Sequence, residues 1–112
     1  MSRRLREAGS ELREPASAIP AEFVLYKRTP EFTELTVPAG LLRAHSTKEG
    51  VWGRIQVTEG ELIYRIADPR RREREISLRP DHSGVIEPTI LHQVQPRGAT
   101  RFFVEFFRHA SP

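Results

Sequence analysis

The stretch HSTKEGVWGRIQVTEGELIY, residues 45–64, decides how this chain folds. It contains most of two short runs rich in β-branched and aromatic residues, VWGRIQV at 51–57 and ELIYRIA at 61–67, which read as strands. Between them Thr58-Glu59-Gly60 supplies a glycine able to take positive φ, so a hairpin is predicted here. Outward from that pair the same texture continues. Further strands are predicted at 23–29 (FVLYKRT), 34–37 (ELTV) and 40–46 (GLLRAHS). On the C-terminal side they follow at 74–79 (REISLR), 84–87 (GVIE), 92–95 (HQVQ) and 101–107 (RFFVEFF). Pro80 to Ser83 and Gln95 to Gly98 read as turns, and no long stretch keeps a helical period. This spacing of strands and turns is that of an antiparallel β-sandwich or barrel, an all-β fold.

With 112 residues, 38% of them hydrophobic, the chain has enough material for one modest core and too little for two. The domain is expected over residues 21–112. Residues 1–20 hold only Leu5, Leu12 and Ile19 as large apolar groups, too few to offset the entropy of ordering, so a mobile arm that adds little stability is expected there. There is no cysteine, which excludes disulfides, thiolate metal sites and thiol chemistry. The nitrogen ligands available to a metal are His45, His82, His92 and His109.

The N-terminus is charged and lacks the apolar run of a signal peptide, and nowhere do about 18 apolar residues follow one another. A cytoplasmic protein without a membrane partner is expected. Of 18 basic residues only Lys27 and Lys48 are lysine, and the net charge is only +3. Basic residues gather in the N-terminal tail and in PRRRERE at 69–75, with acidic residues mixed into both. That is a solvated surface rather than a nucleic-acid stripe.

A second segment, GVIEPTILHQV at 84–94, carries a glycine, a proline-containing turn and then a histidine opening a strand. Together with 45–64 it resembles the two sequence motifs of cupins: a metal-binding histidine segment leading into a Gly-Glu hairpin, then a Gly…Pro…His segment. More closely, YKRTPEFTELTVPAGLLRAHSTKEGVWG at 26–53 and the closing RFFVEFF resemble the small domain of YeaR-like proteins and of the N-terminus of some tellurite-resistance TehB methyltransferases. The similarity spans roughly residues 22–108. It implies a cupin-like double-stranded β-helix. The first cupin motif is incomplete, since His45 stands alone, Lys48 falls near the second histidine position, and Gly53 replaces the expected glutamate. These residues hold no glycine-rich strand-to-helix turn for a methyl-donor cofactor, so methyl transfer is not expected of them.

The resemblance implies that His45 and His92 meet at one mouth of the barrel and bind a divalent metal: Zn, Fe, Mn or Ni. A carboxylate must complete the set. Glu105 is the first candidate, because YeaR-like sequences similarly carry an acidic residue between apolar ones there, with Glu87, Glu59 and Glu61 as alternatives. Against it, Phe102, Val104 and Phe106 form an apolar face by themselves, which would turn Glu105 to the surface and leave Phe103 and Phe107 for a dimer interface. His82 and His109 read as solvated. Lys48 is either a ligand-binding cation or a turn residue, and Arg43, on the face of His45 if alternation holds, is a second cation for an anionic ligand. Trp52 would fill the core or wall the pocket, and no serine sits in the strained turn that a catalytic triad needs.

The leading functional expectation is therefore a metal-dependent pocket for a small anionic molecule in a homodimer. Two others stand beside it: a non-catalytic ligand-sensing or stress-response module, and a structural dimerisation domain without metal.

Overall fold

The computed structural model describes residues 12–111. Its elements are β1 (Phe23–Arg28), β2 (Phe32–Thr33), a 3-10 turn at Ala39–Leu42, β3 (Trp52–Ile66), β4 (Arg74–Leu78), β5 (Gly84–Ile86) and β6 (His92–His109). They form one antiparallel six-stranded sheet in the order β1-β6-β3-β4, with β2 also on β6 and β5 on β3. The all-β reading is thus met. The strand pairing does not close into a barrel, because β1 and β4 are left as edges.

The predicted hairpin at 58–60 is replaced by something different. The two runs flanking it are one long strand, β3, and HQVQ and RFFVEFF likewise merge into β6. These strands pair from Trp52 opposite Phe107 to Ile66 opposite His92, with register shifts around Glu59. The physical reason lies at Gly60, whose φ is +81° and whose missing side chain makes room for the Ala99 carbonyl; a Cβ there would stand 2.1 Å from that oxygen. Positive φ serves a bulge as well as a turn, and here it bends two paired strands together.

Two other expected strands are absent. Residues 34–37 form a turn closed by Thr33, whose N–H donates to Thr36 Oγ1 at 2.8 Å. In the run 40–46 the first residues coil into the 3-10 turn, and only His45 pairs, bridging to His92.

The pleat sorts side chains between two faces. Ile55, Val57, Phe102 and Val104 point inward before the bend, and Leu62, Tyr64, Ile66 and Val94 after it, all at most 6% exposed. Full burial of side chains of this size contributes roughly 1.5–3 kcal/mol each. On the outward face Trp52 packs edge-on to Phe23, and Arg54 and Arg28 lie over the rings of Phe107 and Phe103.

Residues 12–20, expected to belong to a mobile arm, lie along the domain. Arg13 bridges to Arg71, the Arg72 N–H donates to the Arg13 carbonyl at 2.8 Å, and the Ala16 N–H donates to Glu87 at 3.2 Å. Backbone and carboxylate partners hold the segment where apolar burial is scarce. The expectation for residues 1–11 lies outside the described residues.

Candidate functional site

On the inward face, the segment from Pro38 to Lys48 covers the sheet without filling the space beneath it. A cavity of about 440 Å³ remains, within the usual range for small-molecule sites. Its walls are apolar, from Phe32, Leu41, Val51, Ile55, Val94 and Phe102. Four ionisable basic residues line it: Lys27, Lys48, His45 and His92. No Asp or Glu does so among the described residues. Of these, the lysines are exposed, His45 is half-buried and His92 is buried, an order that runs from the surface inward.

The histidines are set by the backbone. His45 and His92 exchange both N–H···O bonds at 2.9 Å, which brings their rings to 4.2 Å between centroids. In each, Nδ1 faces the carbonyl two residues back: Arg43 O at 2.9 Å for His45 and Ile90 O at 3.0 Å for His92. A carbonyl only accepts, so in the neutral ring the proton sits on Nδ1 and the lone pair on Nε2. No buried side-chain nitrogen or oxygen lacks a partner among the described residues. The His92 Nε2 bonds to no described residue, and His92 lines the cavity. Burial pushes the His92 imidazolium down to about 4, opposed by the Ile90 bond and helped by neighbouring His45, so its ring is neutral at physiological pH.

The loop leading to His92 is clamped. Asp68 is 4% exposed; its Oδ1 accepts from the Arg70 N–H and Nε, and its Oδ2 from Arg70 Nη2 and the Leu91 N–H. Arg70 in turn donates to the Thr89 carbonyl at 2.7 Å, and the Thr89 N–H to Thr47 O at 3.1 Å, joining the two histidine loops. The Arg70 guanidinium bond keeps the Asp68 carboxyl well below the usual range despite its burial.

The expected residues separate into two groups. His45, His92 and Lys48 line the cavity. Glu105 does not, because Phe102, Val104 and Phe106 face inward and turn it to the opposite side. There it accepts from Gln56 Nε2 at 3.2 Å and lies 4.0 Å from Arg54. Trp52 is on that outward face too, neither core nor pocket wall, and Arg43 contributes only its carbonyl to His45. The alternative carboxylates are also engaged elsewhere: Glu87 with Arg71, Glu59 with Arg101, and Glu61 with Ser77 and Arg79. No cluster of three metal-ligating side chains forms among the described residues. The donors fit half a coordination sphere, two imidazole nitrogens, and a metal there would draw its other ligands from water or a bound molecule.

Lys27, Thr29 and Phe32 were not singled out from the sequence. Lys27 carried a signal all the same, as the one other lysine in an arginine-rich chain. Tyr26 and Lys27 both reach the cavity because the register of β1 against β6 shifts between Leu25 and Lys27.

Two relatives from Haemophilus influenzae strains, each called "Probable S-adenosyl-L-methionine-dependent methyltransferase TehB", are 30% and 29% identical to this chain over 76 residues. The match covers 66% of this chain and 27% of each relative, so the chain aligns with about a quarter of their length. The crystal structure of TehB from H. influenzae superposes with a TM-score of 0.72 at 25% identity, covering 80% of this chain and 32% of that one. A protein of known structure from Escherichia coli gives a TM-score of 0.75 at 26% identity, covering 86% of this chain and all of that one. The family model of the TehB-like domain matches residues 27–104, well over half of the sequence, and the chain belongs to that family.

Proposed function

We propose that this TehB-like domain is a binding module whose cavity takes a small organic anion with an apolar body. The observation that carries the reading is the lining: apolar walls, two lysines, two histidines and no carboxylate among the described residues. Apolar area supplies affinity and the lysines select charge. No reaction step is assigned. The two long strands paired with each other support a cupin-like double-stranded β-helix as the finer reading of the fold. The tellurite link implied by the family resemblance makes the tellurite oxyanion a comparison ligand. It has no apolar body, so it is expected to bind worse than a carboxylate on a hydrocarbon frame.

Titration calorimetry with 3-phenylpropanoate and 3-phenylpropan-1-ol tests this. The acid should bind about tenfold or more tighter, and Lys27→Ala with Lys48→Ala should erase the difference. Equal binding of acid and alcohol by the parent protein would refute the anion reading.

A divalent metal on His45 and His92 is the second reading, favoured by the Nδ1–H···O=C bonds that leave both Nε2 lone pairs free, as in metal-ligating histidines. A bound metal would polarise a ligand oxygen. Elemental analysis of protein purified without a histidine tag decides it: stoichiometric Zn, Fe, Mn or Ni that disappears in His45→Ala supports the site, and metal-free protein refutes it. A homodimer belongs to the same proposal, since edge strand β1 leaves Val24, Leu25 and Tyr26 exposed. Sedimentation showing only monomer at micromolar concentration would remove it.

A further inference from the structure

The inner end of the cavity poses a chemical question that the anion reading leaves open. Two imidazole rings with centroids 4.2 Å apart line this apolar cavity, and their Nδ1 protons are committed to the Arg43 and Ile90 carbonyls, which leaves each Nε2 as an acceptor. A ligand that displaces water from this end without offering a donor leaves acceptors unpaired in a dry environment, which costs affinity. A cationic donor suits the place poorly, because Lys27 and Lys48 line the same cavity and its walls are apolar. A neutral hydroxyl meets both conditions.

We propose that the cavity selects a hydroxy acid: a flat or compact apolar frame with its acid group at the lysines and a hydroxyl at the far end, donating to Nε2 of His45 or His92. The proposal rests on the anion-pocket reading and adds the second polar group of the ligand. It assigns the histidine pair the role of a hydrogen-bond acceptor, which two imidazole lone pairs without a carboxylate fulfil and a complete protein metal centre does not. Backbone positioning fits that role. The rings are fixed by the His45–His92 bridge and by the two carbonyls, so little ordering remains to be done when the hydroxyl arrives.

The test is calorimetry of the full chain, in EDTA throughout, with three probes: 3-phenylpropanoate, 3-(4-hydroxyphenyl)propanoate and 3-(4-methoxyphenyl)propanoate. The hydroxylated acid should bind about 3–10-fold tighter than the unsubstituted one, the increment of a hydrogen bond in an otherwise apolar site. The methoxy acid, which keeps the oxygen and loses the donor, should not share the gain. His92→Phe and, as a less buried alternative should that variant fail to fold, His45→Phe should bring the affinity ratio of the hydroxylated to the unsubstituted acid toward one, the readout being that ratio and not the affinity for 3-phenylpropanoate itself. Equal affinity for the hydroxylated and unsubstituted acids in the parent protein would overturn the hydroxyl inference and leave the anion pocket standing. Failure of all three acids to bind would overturn the anion pocket itself and the inference with it. A hydroxyl gain that appears only when EDTA is replaced by a divalent metal would overturn the acceptor role in favour of coordination.

Discussion

Thr89 holds a φ of +66°, a conformation that β-branched residues avoid, and Arg70 keeps it there through bonds to its carbonyl and hydroxyl. Left-handed strain in a residue with a Cβ costs roughly 1–2 kcal/mol, and the greater chain entropy of glycine takes back about half. Thr89→Gly should therefore stabilise the domain by about 0.5–1 kcal/mol in denaturant titration. A loss of stability would show that the side chain contributes more than its backbone costs. His92 gives a second residue-scale outcome. Its folded pKa, about 4, lies below the unfolded value near 6.5, so between these the unfolded chain binds the proton and the folded one does not. Stability is full above pH ~6.5 and falls as pH drops toward 4, by at most about 3.5 kcal/mol at ~1.4 kcal/mol per unit. The carboxylates with lowered pKa, Glu31, Glu34, Glu61, Asp68 and Glu87, lose their contribution only below their unfolded values, so the window from 6.5 to 4.5 reports His92. His92→Gln should flatten the unfolding midpoint across that window; an unchanged slope would place the titrating group elsewhere.

At the scale of elements, the bend of β3 against β6 depends on two glycines with different burdens. Gly60 and Gly98 both have positive φ, but a Cβ at Gly60 meets the Ala99 carbonyl, whereas one at Gly98 meets nothing within 4 Å. Gly98→Ala should cost only the backbone strain, roughly 1–2 kcal/mol. Gly60→Ala must also displace β6, and should cost at least about 2 kcal/mol more, read as the difference in denaturation midpoints. Equal costs would mean that the crossing is looser than the structure has it. The same bend explains what was legible in the sequence. Strand-forming runs at 51–57, 61–67 and 101–107 were visible because period-two burial follows from residue type. Their partners were not, because Thr58-Glu59-Gly60 has the composition of a hairpin turn and of a bulge alike, and nothing local tells a strand whether to reverse or to bend. Glu105 was undecidable for a related reason: Phe102 and Phe106 on one parity and Phe103 and Phe107 on the other are apolar, so alternation named no inward face. The meeting of His45 and His92 was legible only through the family resemblance, since 46 residues separate them and one backbone bridge joins them.

Across the whole molecule, the segment from Leu12 to Pro20 ties the turn at Pro69–Arg72 to the loop that carries Glu87, and that loop runs on through Thr89 to His92. Arg71 and Glu87 form an ion pair whose side chains are only 13% and 11% exposed, and the Ala16 N–H is a further donor to the same carboxylate. Burial would raise the Glu87 pKa; the Arg71 guanidinium and the Ala16 N–H overcome it and hold the carboxyl below its ordinary value. Removing the segment takes that donor away, removes the Arg13 carbonyl from Arg72 N–H, and opens the pair to water. The Glu14 contacts with Arg72 and Arg74 lie at the surface and add little. Deleting residues 1–18 should therefore lower stability by about 2 kcal/mol, from two lost bonds of about 1 kcal/mol each. In a domain of this size that is a fall in Tm of roughly 10 °C. Glu14→Ala, which breaks only surface pairs, should change Tm by no more than about 2 °C on the same scale. Because the segment supports the loop that presents His92, the truncated protein should also lose affinity for a pocket ligand before it unfolds. A truncated chain that keeps both its Tm and its binding of 3-phenylpropanoate would show that the sheet alone sets the Glu87–His92 loop.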